Sequence, residues 1–280
     1  MNKTTLPGEK YEQQILEPLG KMGREGKGRI VELYPVRFGD RTLPFVCFST
    51  GETVMVTAGF CPYAAFGTYE TVLQICDSGI EGVTSFPTVT PKLYDEAIRY
   101  VERGKEDNDI VTLVRGLFGL GTYGESDEPG TFRMFPLFDW MGWDAVRQHT
   151  AIKKLKTAIH KSKVVLDLRN GYTMDGSYIL LGTPVENSRQ KEVDDAIVDE
   201  IESRGHRIST YVNGLYPSYR GNILYGPRDR LCKTAAELGA LNIVVNIPTV
   251  TYSNGIRMTD VKRNVETNMT VVRRVAKLLR

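Results

Sequence analysis

Residues 51–75 read GETVMVTAGFCPYAAFGTYETVLQI. The run ETVMVTAGF is almost continuously apolar, the pattern of a strand covered on both faces. A short glycine-containing turn follows, and a helix is predicted from Phe66 to Cys76. A buried strand that turns into a helix is the building unit of an α/β sheet, and ligands bind such sheets beyond the carboxyl ends of their strands. The turn therefore lies where chemistry is expected, yet it holds one cysteine, Cys61, among apolar residues.

Working outward, RIVELYPVRF and LPFVCFS are rich in β-branched and aromatic residues, and the intervening GDRT is the spacing of a hairpin. Ahead of them, YEQQILEPLGKM predicts an amphipathic helix that stops near Gly20. After the opening stretch come a strand, GVTSFPTV, and a helix, PKLYDEAIRYVERG, with a proline in its first turn and Gly104 as its stop. Residues 116–136 lack a clear period and predict a long loop, with a hairpin hidden inside it as the main alternative. DAVRQHTAIKKLKTAIHKS reads as a helix, KVVLDLRNG as a buried strand and YILLGTP as a further strand. KEVDDAIVDEIESRG reads as a helix ending at Gly205, RLCKTAAELGA leads into the strand LNIVVNIPT, and DVKRNVETNMTVVRRVAKLLR closes the chain as a helix. This alternation predicts an α/β fold with a mixed, mainly parallel central sheet and helices on both faces. The central strands are expected to include residues 53–59, 163–168 and 242–247, and residues 1–280 to form a single domain.

Composition narrows the function classes. The 280 residues carry 36 basic and 34 acidic side chains, a formal charge of +2, which argues against a dedicated nucleic-acid binder. No apolar run approaches the roughly 20 residues of a membrane span, and the first residues lack the apolar core of a signal peptide, so a soluble, cytoplasmic protein is expected. Cys47, Cys61, Cys76 and Cys232 are scattered without a C-x-x-C pair, which suggests reduced thiols and neither a disulfide framework nor a zinc ribbon. His149 and His160 fall in one predicted helix, His160 on its solvated basic exit, and His206 falls in a turn. None is placed beside Cys61, so a Cys-His pair has no support, and Cys61 reads as a buried small hydrophobe before it reads as a nucleophile.

The order of elements and four short strings resemble the zinc carboxypeptidase superfamily, in particular the succinylglutamate desuccinylase and aspartoacylase branch, over residues 10–280. The family's His-Gly-x-Glu-x-x-Gly, whose His and Glu hold zinc, corresponds to Cys61-Pro62-Tyr63-Ala64-Ala65-Phe66-Gly67. Its Asp-x-His strand end corresponds to Asp167-Leu168-Arg169, so an arginine stands at the third ligand position. Asn246 in LNIVVNIPT stands at the general-base Glu, and Arg115 in TLVRGLFG stands at the arginine of Asn-Arg-Asn. The resemblance implies a degenerate member that has lost its zinc ligands, with no cofactor. A zinc site needs three donors converging at about 2.0–2.3 Å, and a guanidinium supplies none.

The same resemblance implies a pocket of changed electrostatics at the strand ends, formed by Cys61, Arg115, Asp167, Arg169 and Asn246. Two arginines suit a carboxylate or phosphate, and Asp167, two residues before Arg169 on one strand face, is positioned to pair with it. The first expectation is a metal-free pseudoenzyme that binds a small anionic molecule or a peptide carboxylate. The alternatives are an enzyme of acyl or amide transfer using Cys61 or the arginines, and a structural module that pairs with itself or an assembly partner.

Overall fold

The computed structural model describes residues 6–58, 68–89, 91, 92, 94, 95, 98, 155–173, 177–182, 189–209, 218, 219, 223–225, 230–251, 257, 258 and 260–280. Among the described residues ten strands form one sheet: β1 (Arg29–Phe38), β2 (Arg41–Ser49), β3 (Val54–Ala58), β4 (Val83–Phe86), β5 (Val164–Thr173), β6 (Ile179–Gly182), β7 (Ser218–Tyr219), β8 (Ile223–Tyr225), β9 (Leu241–Thr251) and β10 (Arg257–Met258). Their order is β1-β2-β4-β3-β5-β9-β6-β8-β7, with β10 pairing β9. The four central strands, β4, β3, β5 and β9, run parallel. Antiparallel pairs join β1 to β2, β2 to β4 and β6 to β9, so the sheet is mixed with a parallel centre. β1 and β2 turn through Gly39 and Asp40, with Phe38 opposite Arg41, as the hairpin spacing predicts. Gly39 has φ +56°, the left-handed conformation such a two-residue turn needs.

The helices with both ends among the described residues are α1 (Glu9–Tyr11) and α2 (Glu17–Arg24), joined by a π-helical turn at Glu12–Leu16, then α3 (Thr68–Ser78), α4 (Gln190–Ser203), α5 (Arg230–Glu237) and α6 (Val261–Leu279). Residues 155–161 are also helical, as are the described residues between 91 and 98. The expected stop at Gly20 is overturned, since the helix continues to Arg24. Leu19 and Met22 bury one face of this segment in the core, and that packing outweighs the low helix propensity of Gly20 and Gly23. The helix is closed instead by Gly26 at φ +72°, with the Lys27 N–H donating to the Met22 carbonyl at 3.1 Å.

Strand parity divides the core in two. Val54, Val56, Val164, Leu166, Leu168, Ile243 and Val245 face one side and pack with α2, α3, α4 and α6. Met55 and Val165 face the other, with Phe45, Phe86, Leu155, Ile159 and Ala235. Helices thus cover both faces, which is why β3, β5 and β9 lack the polar alternation of a half-solvated strand. The predicted loop 116–136 and the helix residues before 155 lie outside the described residues.

Candidate site at the carboxyl ends of the central strands

On the second face the side chains change character along the strands. Met55 and Val165 are in register near the amino ends and apolar. The next level pairs Thr57 with Asp167, and one level further Arg169 stands beside Asn246 on β9. Because β3, β5 and β9 are parallel, this polar end is the carboxyl end of all three. The period of two places Asp167 and Arg169 on one face, as the sequence predicts.

Asp167 is 2% exposed and accepts from both sides. The Thr57 hydroxyl donates to its Oδ1 at 2.7 Å, and Arg169 Nε donates to its Oδ2 at 2.6 Å. Arg169 Nη2 lies 2.5 Å from the same oxygen, and the arginine side chain is 14% exposed. A carboxylate at this depth needs a counter-charge and hydrogen bonds, and Thr57 and Arg169 supply them. Asn246 Nδ2 donates to the Ile179 carbonyl on β6 at 3.3 Å, which fixes the amide beside Arg169. Thr57 is absent from the residues singled out by sequence. Its parity is readable within VMVTA, but its pairing with a residue 110 positions away depends on a strand register that no local pattern encodes.

Of the five residues expected in the pocket, the structure brings Asp167, Arg169 and Asn246 together, while Cys61 and Arg115 lie outside the described residues. His160 is exposed and His149 is outside the described residues. His206 is more than a turn residue: its Nε2 lies 2.9 Å from Thr267 Oγ1, and its ring meets Tyr178 edge-on at 5.0 Å between centroids. Burial, with Arg263 nearby, holds its pKa below the usual histidine value.

The cysteines separate by environment. Burial pushes the Cys47 thiol up to about 11 and the Cys76 thiol up to about 12. Both therefore stay protonated at neutral pH, where the thiolate is the reactive form. In the native protein at pH 7.4 iodoacetamide is expected to leave Cys47 and Cys76 unlabelled. Mass spectrometry of tryptic peptides checks this, and rapid labelling of either would show that its pocket opens to solvent. Any thiol that does react with a midpoint below about 8 must then be Cys61 or Cys232, which makes the profile a direct test of a nucleophilic Cys61.

The polar strand ends do not fit a zinc ion. Asp167 is engaged by Thr57 and Arg169, the guanidinium has no lone pair to give, and an amide is a poor partner for zinc. Among the described residues no three His, Cys, Asp or Glu side chains gather as a metal site, and no helix is long and apolar enough to cross a membrane.

No family model and no curated protein matches the sequence. Solved structures do match in shape. A Shewanella denitrificans OS217 protein assigned as a metallopeptidase superimposes with a TM-score of 0.57 at 11% identity, covering 96% of this chain and 89% of its own. A metallo-carboxypeptidase from Burkholderia cenocepacia gives a TM-score of 0.53 at 12% identity, covering 95% and 68%. Bovine thrombin-activatable fibrinolysis inhibitor, solved with tick carboxypeptidase inhibitor, gives 0.51 at 11% identity, covering 95% and 96%. The chain has a carboxypeptidase-like α/β fold.

Proposed function

We propose that this chain is a metal-independent pseudoenzyme, one carboxypeptidase-like domain that binds a small anionic or carboxylate-bearing ligand at the carboxyl ends of β3, β5 and β9. The observation that carries the proposal is the Arg169 guanidinium, oriented by Asp167 and flanked by Asn246 at those ends. An oriented guanidinium is suited to a planar carboxylate, because less of its side-chain freedom remains to be lost on binding. Asp167 balances the charge of Arg169, so net attraction for an anion depends on Arg115 as a second cation.

Calorimetry on the whole chain with small dicarboxylates, phosphate and acidic dipeptides tests this. One ligand class is expected to bind, with affinity falling roughly tenfold or more in Arg115→Ala, the loss of one charge-assisted contact. Absence of binding by all of them would refute the anion pocket. The same Asp167–Arg169 pair favours a second reading, since a neutral, internally satisfied strand end suits a fold kept as a structural or assembly module. Sedimentation with native partners distinguishes the two.

A further inference from the structure

The first face of the sheet carries two neighbouring helices of opposite charge. On α4 the acidic side chains Glu192, Asp195 and Asp199 follow one another along a single exposed row, and Lys191 is the only cation of the helix. On α6 Arg273, Arg274 and Lys277 are exposed, and Glu266 is the only carboxylate. The two helices pack antiparallel. Arg274 Nη2 lies 3.8 Å from Asp199 Oδ2, and beyond the end of α4 His206 Nε2 meets Thr267 Oγ1 while Arg263 Nη2 donates to the Arg204 carbonyl at 2.7 Å.

Pairing within the chain leaves these rows unbalanced. Asp199 is 65% and Arg274 51% exposed, and an ion pair that open contributes little. Glu192, Asp195, Arg273 and Lys277 make no ion pair or side-chain hydrogen bond among the described residues. Like charges four residues apart, as Asp195 and Asp199 are on α4 and Arg273 and Lys277 on α6, destabilise a helix. Each row therefore gains from an opposite charge brought to it from outside.

We propose that α4 and α6 form a two-fold interface with a second copy of this chain, α4 of each copy lying on α6 of the other. A two-fold axis parallel to an antiparallel helix pair exchanges the two helices and keeps every residue at its own level. Asp199 is level with Arg274, and both helices advance about 1.5 Å per residue, so Asp195 is level with Lys277 and Leu278. The second copy thus sets its Asp199 over Arg273 and Arg274 and its Asp195 over Lys277. It also covers Leu278, an apolar side chain that is 41% exposed. The signs match at the other end too, since Glu266, next to Thr267, is level with the exposed Arg207 beside His206. An axis perpendicular to the helices would lay acidic row on acidic row, and like charges face to face oppose association. The strand-end side chains lie on the second face of the sheet, so this pairing is independent of the anion reading.

Sedimentation equilibrium of the full chain tests it. A monomer–dimer equilibrium is expected at low salt, weakening towards about 1 M salt, where charges are felt over only about 3 Å. Asp195→Lys and Lys277→Glu each place two repulsive contacts in the dimer and are expected to raise its Kd about tenfold or more. An equimolar mixture of the two variants is expected to restore the dimer, because each copy then offers the sign that the other needs. A folding defect could not be rescued in this way. Arg24→Gln, at an exposed cation on α2, is expected to leave the equilibrium unchanged. A chain that stays monomeric at low salt overturns the proposal, as does a dimer indifferent to both charge reversals. Failure of the mixture to restore the dimer, or species larger than a dimer, would overturn the two-fold arrangement.

Discussion

Replacing Arg169 by alanine is expected to destabilise the folded protein by about 3–5 kcal/mol, the cost of stranding a buried charge. The partner left behind is Asp167, whose side chain is 3% exposed and packed between β3 and β9. The attraction between the two charges offsets the cost of removing both from water, so losing Arg169 leaves Asp167 its hydrogen bond from Thr57 but not that counter-charge. Taking away both, as in Asp167→Leu with Arg169→Met, is expected to recover most of the stability, because a carboxylate no longer needs a counter-ion. Urea denaturation measures both variants, read from the midpoint at constant slope. A loss below about 1 kcal/mol in the single variant would mean that solvent reaches the pair, since exposed pairs contribute no more than that.

Asp95→Ala is expected to cost about 2–3 kcal/mol and to loosen the first helix before the sheet unfolds. The Asp95 carboxylate is 4% exposed and accepts backbone N–H groups of Gly8 at 3.0 Å, Lys10 at 2.9 Å and Tyr11 at 3.3 Å. These are amide groups at the start of a helix, which have no acceptor within the helix itself. Tyr11 is fully buried against Phe38 and donates its hydroxyl to the Pro44 carbonyl at 2.9 Å, so the cap also holds an aromatic anchor in place. Hydrogen exchange of the Tyr11 amide should accelerate more in the variant than exchange in β5. A change within about 0.5 kcal/mol, the range of ordinary surface substitutions, would contradict this role.

The centre of the fold was legible because burial on both faces forces long apolar runs, and β3, β5 and β9 are written that way. The face shared by Asp167 and Arg169 was legible too, since it follows from the period of a strand. Thr57 and Asp95 were not. Each acts on a residue more than 80 positions away, through a register or a helix contact fixed only by the assembled core. The Gly20 stop failed for a related reason, as a glycine weakens a helix locally while Leu19 and Met22 bind it to the core. Antiparallel β6 beside β9 was likewise hidden, because a short apolar strand carries no mark of its direction.

The proposal that this carboxypeptidase-like fold acts without a metal is tested most directly by the zinc content of the whole chain. The protein would be equilibrated with zinc, dialysed against metal-free buffer and subjected to elemental analysis, with its urea midpoint recorded before and after. The predicted result is no stoichiometric zinc and no shift of the midpoint, because an ion that binds only the folded state must stabilise it. Retention of one zinc per chain, abolished in Cys61→Ser, would contradict the account by showing that Cys61 supplies a ligand to a rearranged metal site.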